Sequence, residues 1–441
     1  MNRDLGGCER FYWVANQWSA NNVVAVCELG GTLDVACLRA ALALLRVRHP
    51  ALGLCVLADA EGRDPRFVRR PRGVIPLDVE GSGATPFPAR VHAATERALN
   101  ERIDAAETLV RVRYLHGEGV CAVVLTALHI IADATAAMVA LRDLLALVAA
   151  VTRDPAATAA ALPIAPALAA LLPPRLSGVR ALPRVARTQA AVAIEQLRAA
   201  PTRLPAEREV PLTERRNRLI QKRLAPRAVE GLRAACAEAE VTVHGLLLAA
   251  LAIAVAEELG LRGLPRAMLS VGSPVSVRTQ LVPRIGDAMG SFVATLSVLV
   301  DAGRDASIWS IARAANRELE RRKARDEPLA MMCLAQWATP ATLAGSAGFM
   351  RMAEQQGPGN VCLSNIGALA FPPEVAGIAV RAAHWTASLS VTGYFLCAVC
   401  TTPQGLSLDF SFIEGVVGAA RAERIVDRML ARVVDAAEVH A

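Results

Sequence analysis

His129 and Asp133, in the run LHIIADA (128–134), are the pair whose types and spacing bear most directly on chemistry. An imidazole takes up a proton near neutral pH without large environmental tuning, and a positioned base of this kind contributes about 10²- to 10⁴-fold to a rate. The pair falls where an apolar strand gives way to a helix, and side chains at a strand end project into clefts from a rigid support. Structural roles compete with that reading. A histidine after a strand is often simply hydrogen-bonded in place, and Asp133 is well set to be the N-cap of the helix DATAAMVALRDLLALV, satisfying free backbone donors of the first turn.

The remaining histidines are weaker candidates. His49 ends an amphipathic helix before Pro50, where the helix dipole favours it. His116 lies beside a tight turn, His92 on a helix face, His244 at a helix start, His384 next to Trp385 in a strand, and His440 in a tail. None has a metal-ligand partner at useful spacing, so no metal site is expected. The one CxxC, Cys397 with Cys400, sits in a strand-like run where residues three apart point to opposite faces, which suits packing. The other cysteines of the ten show no disulfide or zinc pattern, as befits a reducing compartment.

The elements that must position His129 are legible around it. LVRVRYLHGEGVCAVVLTALH (109–129) alternates, turns at Gly117-Glu118-Gly119 and resumes as a buried strand, a hairpin pattern. Residues 22–29 read as a strand, and 33–50 as an amphipathic helix stopped by Pro50; helices are predicted near 88–103 and 133–151. From 152 to 210 the composition shifts to proline, alanine and arginine, with a helix near 186–199. Beyond it the spacing predicts helices at 226–239, 242–260, 306–324 and 418–437, and strands near 267–273, 291–300, 376–382, 386–400 and 405–412.

At 441 residues the chain suits two lobes of about 200 residues each. The expected division is a first lobe over 1–180 carrying the His129 motif, a linker over 181–210, and a second lobe over 211–441. With 54% hydrophobic but only 4% aromatic residues, small apolar side chains favour packed helices and buried strands in an α/β arrangement. Residues 155–175 are long and uncharged enough to resemble a membrane span, but Pro163, Pro166, Pro173 and Pro174 break any continuous helix there. The start, MNRDLGGCERF, has no apolar signal core, so a cytoplasmic chain without a membrane span is expected. Lys222 and Lys323 are the only lysines, so the net charge of +7 is carried by arginine, whose forked donors suit phosphate and carboxylate. An acidic carrier protein or coenzyme A fits that surface, as does plain solvation, and no aromatic-interleaved basic patch points to nucleic acid.

Several segments together resemble a known superfamily. The stretch 5–52 is similar to the opening of nonribosomal peptide synthetase condensation domains and polyketide-associated acyltransferases in Glu9-Arg10, the Leu33–Leu42 helix and Arg48-His49-Pro50. LHIIADA falls where that superfamily carries HHxxxDG; 272–298 resembles its second-lobe stretch with an arginine and a following Gly-Ser-Phe; LSNIGAL (363–369) resembles its Ser/Thr-Asn-x-Gly segment. The resemblance implies two chloramphenicol acetyltransferase-like lobes set in a V around a central tunnel, with His129 at the interface and Asp133 paired to Arg278. It places Ser364, Asn365 and Gly367 near substrate. Leu128 replaces the motif's first histidine and Ala134 its glycine, which leaves the catalytic histidine in place but asks Ala134 to accept the loop's backbone.

The reaction this implies is direct acyl transfer from a coenzyme A or carrier-protein phosphopantetheinyl thioester to a small-molecule hydroxyl or amine. His129 is the general base, no cofactor is bound, and a monomer suffices. No nucleophile elbow suggests a covalent acyl-enzyme. A noncatalytic recruitment module of an assembly line is the rival from another class, and epimerase-like proton transfer would need a second acid/base that segment 363–369 does not offer.

Overall fold

The computed structural model describes residues 2–70, 73–356, 360–389, 391 and 393–438. His440 lies outside them. Two six-stranded mixed sheets carry the fold, with a three-stranded sheet of Asn2–Asp4, Arg66–Arg69 and Leu54–Leu57 beside them.

In the first large sheet the strand order is Glu374–Val375, Ile378–Ala387, Asn22–Leu29, Val120–Leu128, Val110–Gly117 and Leu77–Glu80. Its central strand, NVVAVCEL, is apolar on both faces because both are covered. Val23, Ala25 and Cys27 join the large core with the helices Val35–Arg48 and Ala134–Arg153. Val24 and Val26 pack on the opposite side with Val91, Ala94 and Ala98 of the helix Phe87–Asn100. The period of two along one strand thereby builds two cores. Ala134–Arg153 is long and apolar enough to cross a bilayer, but its leucines and valines are taken up by this packing.

The second sheet runs Val293–Asp301, Met268–Ser276, Val361–Ala368, Phe395–Thr402, Gly405–Ile413 and Asn217–Leu224. The helix Val243–Glu258 is apolar on every side and buried without a break from Gly245 to Ala256, as an all-round apolar helix must be. The helices Pro226–Glu238, Ile308–Ala324 and the amphipathic Ala419–Glu438 surround it. Cys397 and Cys400 both lie buried on Phe395–Thr402 as free thiols.

The two-lobed α/β architecture read from the sequence is the one observed, with a correction to how the chain divides. Ile378–Ala387, assigned with the second lobe as part of 211–441, pairs antiparallel with Asn22–Leu29 and completes the first lobe's sheet. The 181–210 segment holds a helix of 19 residues, Ala181–Ala199, packed on another, Glu327–Ala338. Three helices that no periodicity marked are also present: Gly7–Trp18, Glu327–Ala338 and Ser346–Gln356.

Candidate active site

His129 follows directly on the strand Val120–Leu128, its backbone N–H donating to the Asn21 carbonyl at 3.0 Å. The imidazole lies flat against the Tyr12 ring, centroids 4.1 Å apart and planes 5° from parallel. Its Nδ1 is 3.1 Å from Ser291 Oγ, a residue of the second lobe. With Nδ1 as donor to that hydroxyl, Nε2 is left as the basic nitrogen, and it has no protein partner among the described residues. Burial lowers the His129 pKa from the ordinary imidazole value, more strongly than the nearby Asp133 carboxylate raises it. The neutral ring therefore prevails at pH 7. Burial likewise pushes the Tyr12 hydroxyl above the usual phenol range, so it stays protonated beside the imidazole.

Asp133 does both things the sequence allowed. Its Oδ1 accepts from the Ala136 N–H at 2.8 Å, capping the helix Ala134–Arg153, while Oδ2 accepts from the Phe292 N–H at 3.0 Å. Arg278 Nη2 reaches both carboxylate oxygens, at 3.2 and 3.1 Å, across the lobe boundary. The same guanidinium donates to the Ala288 and Gly290 carbonyls at 2.8 and 2.9 Å, so one arginine gathers the loop that carries Ser291 and ties it to the loop that carries His129. Gly290 is required there. Its φ is +156°, and a Cβ would lie 2.1 Å from the Phe292 ring. Removing one member of a buried, hydrogen-bonded charge pair costs about 3–5 kcal/mol.

Ala134 is the first residue of its helix and is absent from the residues with positive φ, so the glycine of the motif is dispensable in this loop. Leu128 is fully buried in the core. The other motif residues are structural. Glu9 caps Gly7–Trp18 by accepting from the Gly6 N–H at 2.7 Å, Arg10 donates to the Thr339 carbonyl at 3.1 Å, and Arg48 and His49 both meet Asp143. His384 pairs with Asp409 at 3.1 Å, His244 with Ser273 at 2.8 Å, and His92 with Gln221 at 3.1 Å.

A cavity of about 380 Å³ opens between the lobes, with His129 and Asp133 in its wall. The first-lobe side adds Tyr12 and Trp385, the second-lobe side Ser276, Thr295, Ser364 and Asn365, and the helix Glu327–Ala338 contributes Met331 and Met332. Apolar lining thus surrounds a few polar groups, the composition of a small-molecule site. Ser364 and Asn365 belong to a strand, Val361–Ala368. Gly367 does not line the cavity. It sits with φ +79° in a register shift of that strand, and its N–H donates to Asn365 Oδ1 at 2.8 Å, so it acts on Asn365. Sequence reasoning missed Tyr12 and Ser291. The aromatic run Phe11-Tyr12-Trp13 in a chain so poor in aromatics was the available signal for the first; the second is the serine of the Gly-Ser-Phe noted after the arginine, with nothing there to show that it meets His129.

This architecture places the chain in a structural class. It matches the first condensation domain of the calcium-dependent antibiotic synthetase with a TM-score of 0.72 at 19% identity, over 100% of this chain and 97% of that one. It matches the trichothecene 15-O-acetyltransferase of Fusarium sporotrichioides with a TM-score of 0.72 at 12% identity, over 99% and 95%. The EpoB cyclization-docking bidomain from Sorangium cellulosum matches with a TM-score of 0.67 at 17% identity, over 99% and 85%. Residues 213–405 match the model of the family described as phthiocerol/phthiodiolone dimycocerosyl transferase C-terminus. No curated protein sequence matches the chain significantly. The resemblance to condensation domains and polyketide-associated acyltransferases is borne out by the shared fold and, over residues 213–405, by the family match.

Proposed function

We propose that the chain transfers an acyl group from a coenzyme A or carrier-protein thioester to the hydroxyl or amine of a small acceptor, with His129 as general base. One observation carries the reading: a neutral imidazole lies in the wall of the inter-lobe cavity with Nδ1 engaged by Ser291 and Nε2 unengaged. Nε2 accepts the acceptor's proton as its oxygen or nitrogen attacks the thioester carbonyl. The tetrahedral intermediate collapses with loss of the C–S bond, and the imidazolium returns the proton to the departing thiolate, so the ring ends as it began.

Asn365 is the donor best set to receive the developing oxyanion, since its amide oxygen is occupied by the Gly367 N–H and its NH₂ group remains to donate. Ser364 is a second polar group in the same wall. Asp133 and Arg278 hold the histidine loop without contacting substrate. Stacking on Tyr12 and the Ser291 contact fix the plane of the ring, and such orientation is worth as much as basicity when reactants must meet at about 3 Å.

The test is mass spectrometry of products formed from a panel of acyl-coenzyme A and acyl-carrier donors with alcohol and amine acceptors. His129→Ala is expected to lower turnover by about 10²- to 10⁴-fold with the fold intact. Undiminished product formation by that variant would assign the chain to recruitment and remove the catalytic reading.

A further inference from the structure

The helix Ala181–Ala199 joins the lobes, and its inner face is buried at Ala181, Val185 and Thr188. It packs on Glu327–Ala338, with Gln189 Nε2 donating to Met331 Sδ at 3.1 Å and Gln196 Nε2 donating to Ser297 Oγ at 2.5 Å. Its outer face is unusual. Val179, in the 3-10 turn leading into the helix, is 80% exposed, Leu182 51%, Ile194 47% and Leu197 82%. With the exposed Ala186 and Ala190 between them, these side chains follow the three- and four-residue spacing of a single stripe.

A second row runs beside the first. At about 100° per residue, Arg180, Arg187 and Arg198 fall together along one margin of the apolar stripe. All three are exposed, and none has an ion pair among the described residues. The helix has one acidic residue, Glu195, and it is turned inward onto Arg321, Arg322 and Arg325. The outward face is therefore an apolar ridge about 28 Å long, bordered by cations and free of carboxylates.

We infer that Ala181–Ala199 is an interfacial helix that docks the protein on an anionic lipid surface. Charge complementarity selects this occupant. The stripe seats its leucine, isoleucine and valine side chains at the headgroup–acyl boundary while arginines at its margin extend to the phosphates, the arrangement by which amphipathic helices lie in a bilayer surface. A soluble acidic partner would need an apolar groove as long as the ridge set beside its carboxylates, whereas an anionic bilayer presents apolar depth and phosphates along any length. The opposite face of the helix rests on Glu327–Ala338, whose Met331 and Met332 line the cavity, so docking sets the cavity one helix away from the lipid. The inference stands independently of the acyl-transfer reading.

The experiment is co-sedimentation of the full chain with phosphatidylcholine vesicles prepared with and without phosphatidylglycerol. The unmodified protein is expected to pellet with the phosphatidylglycerol vesicles. A double variant, Ile194→Glu with Leu197→Glu, is expected to remain in the supernatant with an unchanged unfolding midpoint, since both side chains face solvent. Replacing Arg180, Arg187 and Arg198 by glutamine should weaken binding to anionic vesicles about 100-fold, each arginine contributing about fivefold near such a surface. Failure of the unmodified protein to bind either vesicle overturns the inference, as does equal binding by the Ile194→Glu, Leu197→Glu variant. A dimer that this variant dissolves, in the absence of lipid binding, would give the face to a second copy of the chain instead.

Discussion

The imidazole of His129 is held by a ring on one side and a hydroxyl on the other, and its burial has a direct kinetic consequence. An unburied histidine titrates near 6.5, and desolvation favours the neutral form, so the pKa in the fold is lower. The free base is thus present at pH values where an exposed histidine would already be half protonated. The kcat/KM profile should rise with pH on a single limb whose midpoint lies below about 6.5 and remain flat from there through neutral pH. A midpoint displaced above 7 would show that another group supplies the base. The sign for stability is the same: between the two pKa values the unfolded chain binds the extra proton, so this residue weakens the fold as pH falls below about 6.5. His129 and Asp133 were legible because a polar pair ending an apolar strand stands out in one dimension. The role of Ser291 was not, because its contact with Nδ1 spans 162 positions and the Gly-Ser-Phe around it does not name that partner.

At the scale of elements, the cavity depends on two helices that approach more closely than side chains normally permit. A Cβ on Gly7 would lie 2.2 Å from the Gln336 carbonyl oxygen, so Gly7–Trp18 and Glu327–Ala338 touch backbone to backbone at that point. The first helix carries Tyr12 against His129 and the second carries Met331 and Met332 into the cavity. Gly7→Ala must push the pair apart. The expected result is a destabilisation of about 1–3 kcal/mol in a denaturant titration together with reduced turnover, since Tyr12 shifts with its helix. An alanine variant with unaltered stability and kinetics would show that the close approach is not needed. Neither helix was legible beforehand. GCERFYWVANQW starts at a glycine pair, with no Ser, Thr, Asp or Asn cap to mark its beginning, and EPLAMMCLAQWA is apolar on most sides, so both lack a local pattern that announces them. The strands and long helices around His129 were legible for the opposite reason: each has one strong period and a marked end.

At the scale of the molecule, the lobes are not independent units. The Asp133–Arg278 pair, the Ser291–His129 contact and the strand Ile378–Ala387 all cross between them, and the helix Phe87–Asn100 packs on both the first sheet and Asn217–Leu224. Residues 1–210 expressed alone are expected to lack the near-ultraviolet circular dichroism of a packed core, and to acquire it on mixing with 211–441. A fragment 1–210 that unfolds cooperatively alone would show the lobe to be self-sufficient. A reading by sequence order places a strand with its neighbours in the chain, which is why Ile378–Ala387 was placed within the second lobe: its apolar residues specify that it is a strand and do not name its partner.

That exchanged strand also bears on how the chain is born. During synthesis Asn22–Leu29 leaves the ribosome more than three hundred residues before the segment that covers its open side, an interval of at least about 15 s at ordinary elongation rates. Throughout it, a strand apolar from Val23 to Cys27 waits with a row of unpaired amides and carbonyls, the form most prone to wrong pairing with other chains. Yield in a cell should therefore depend on chaperones that shield nascent polypeptides more than the stability of the finished protein would suggest.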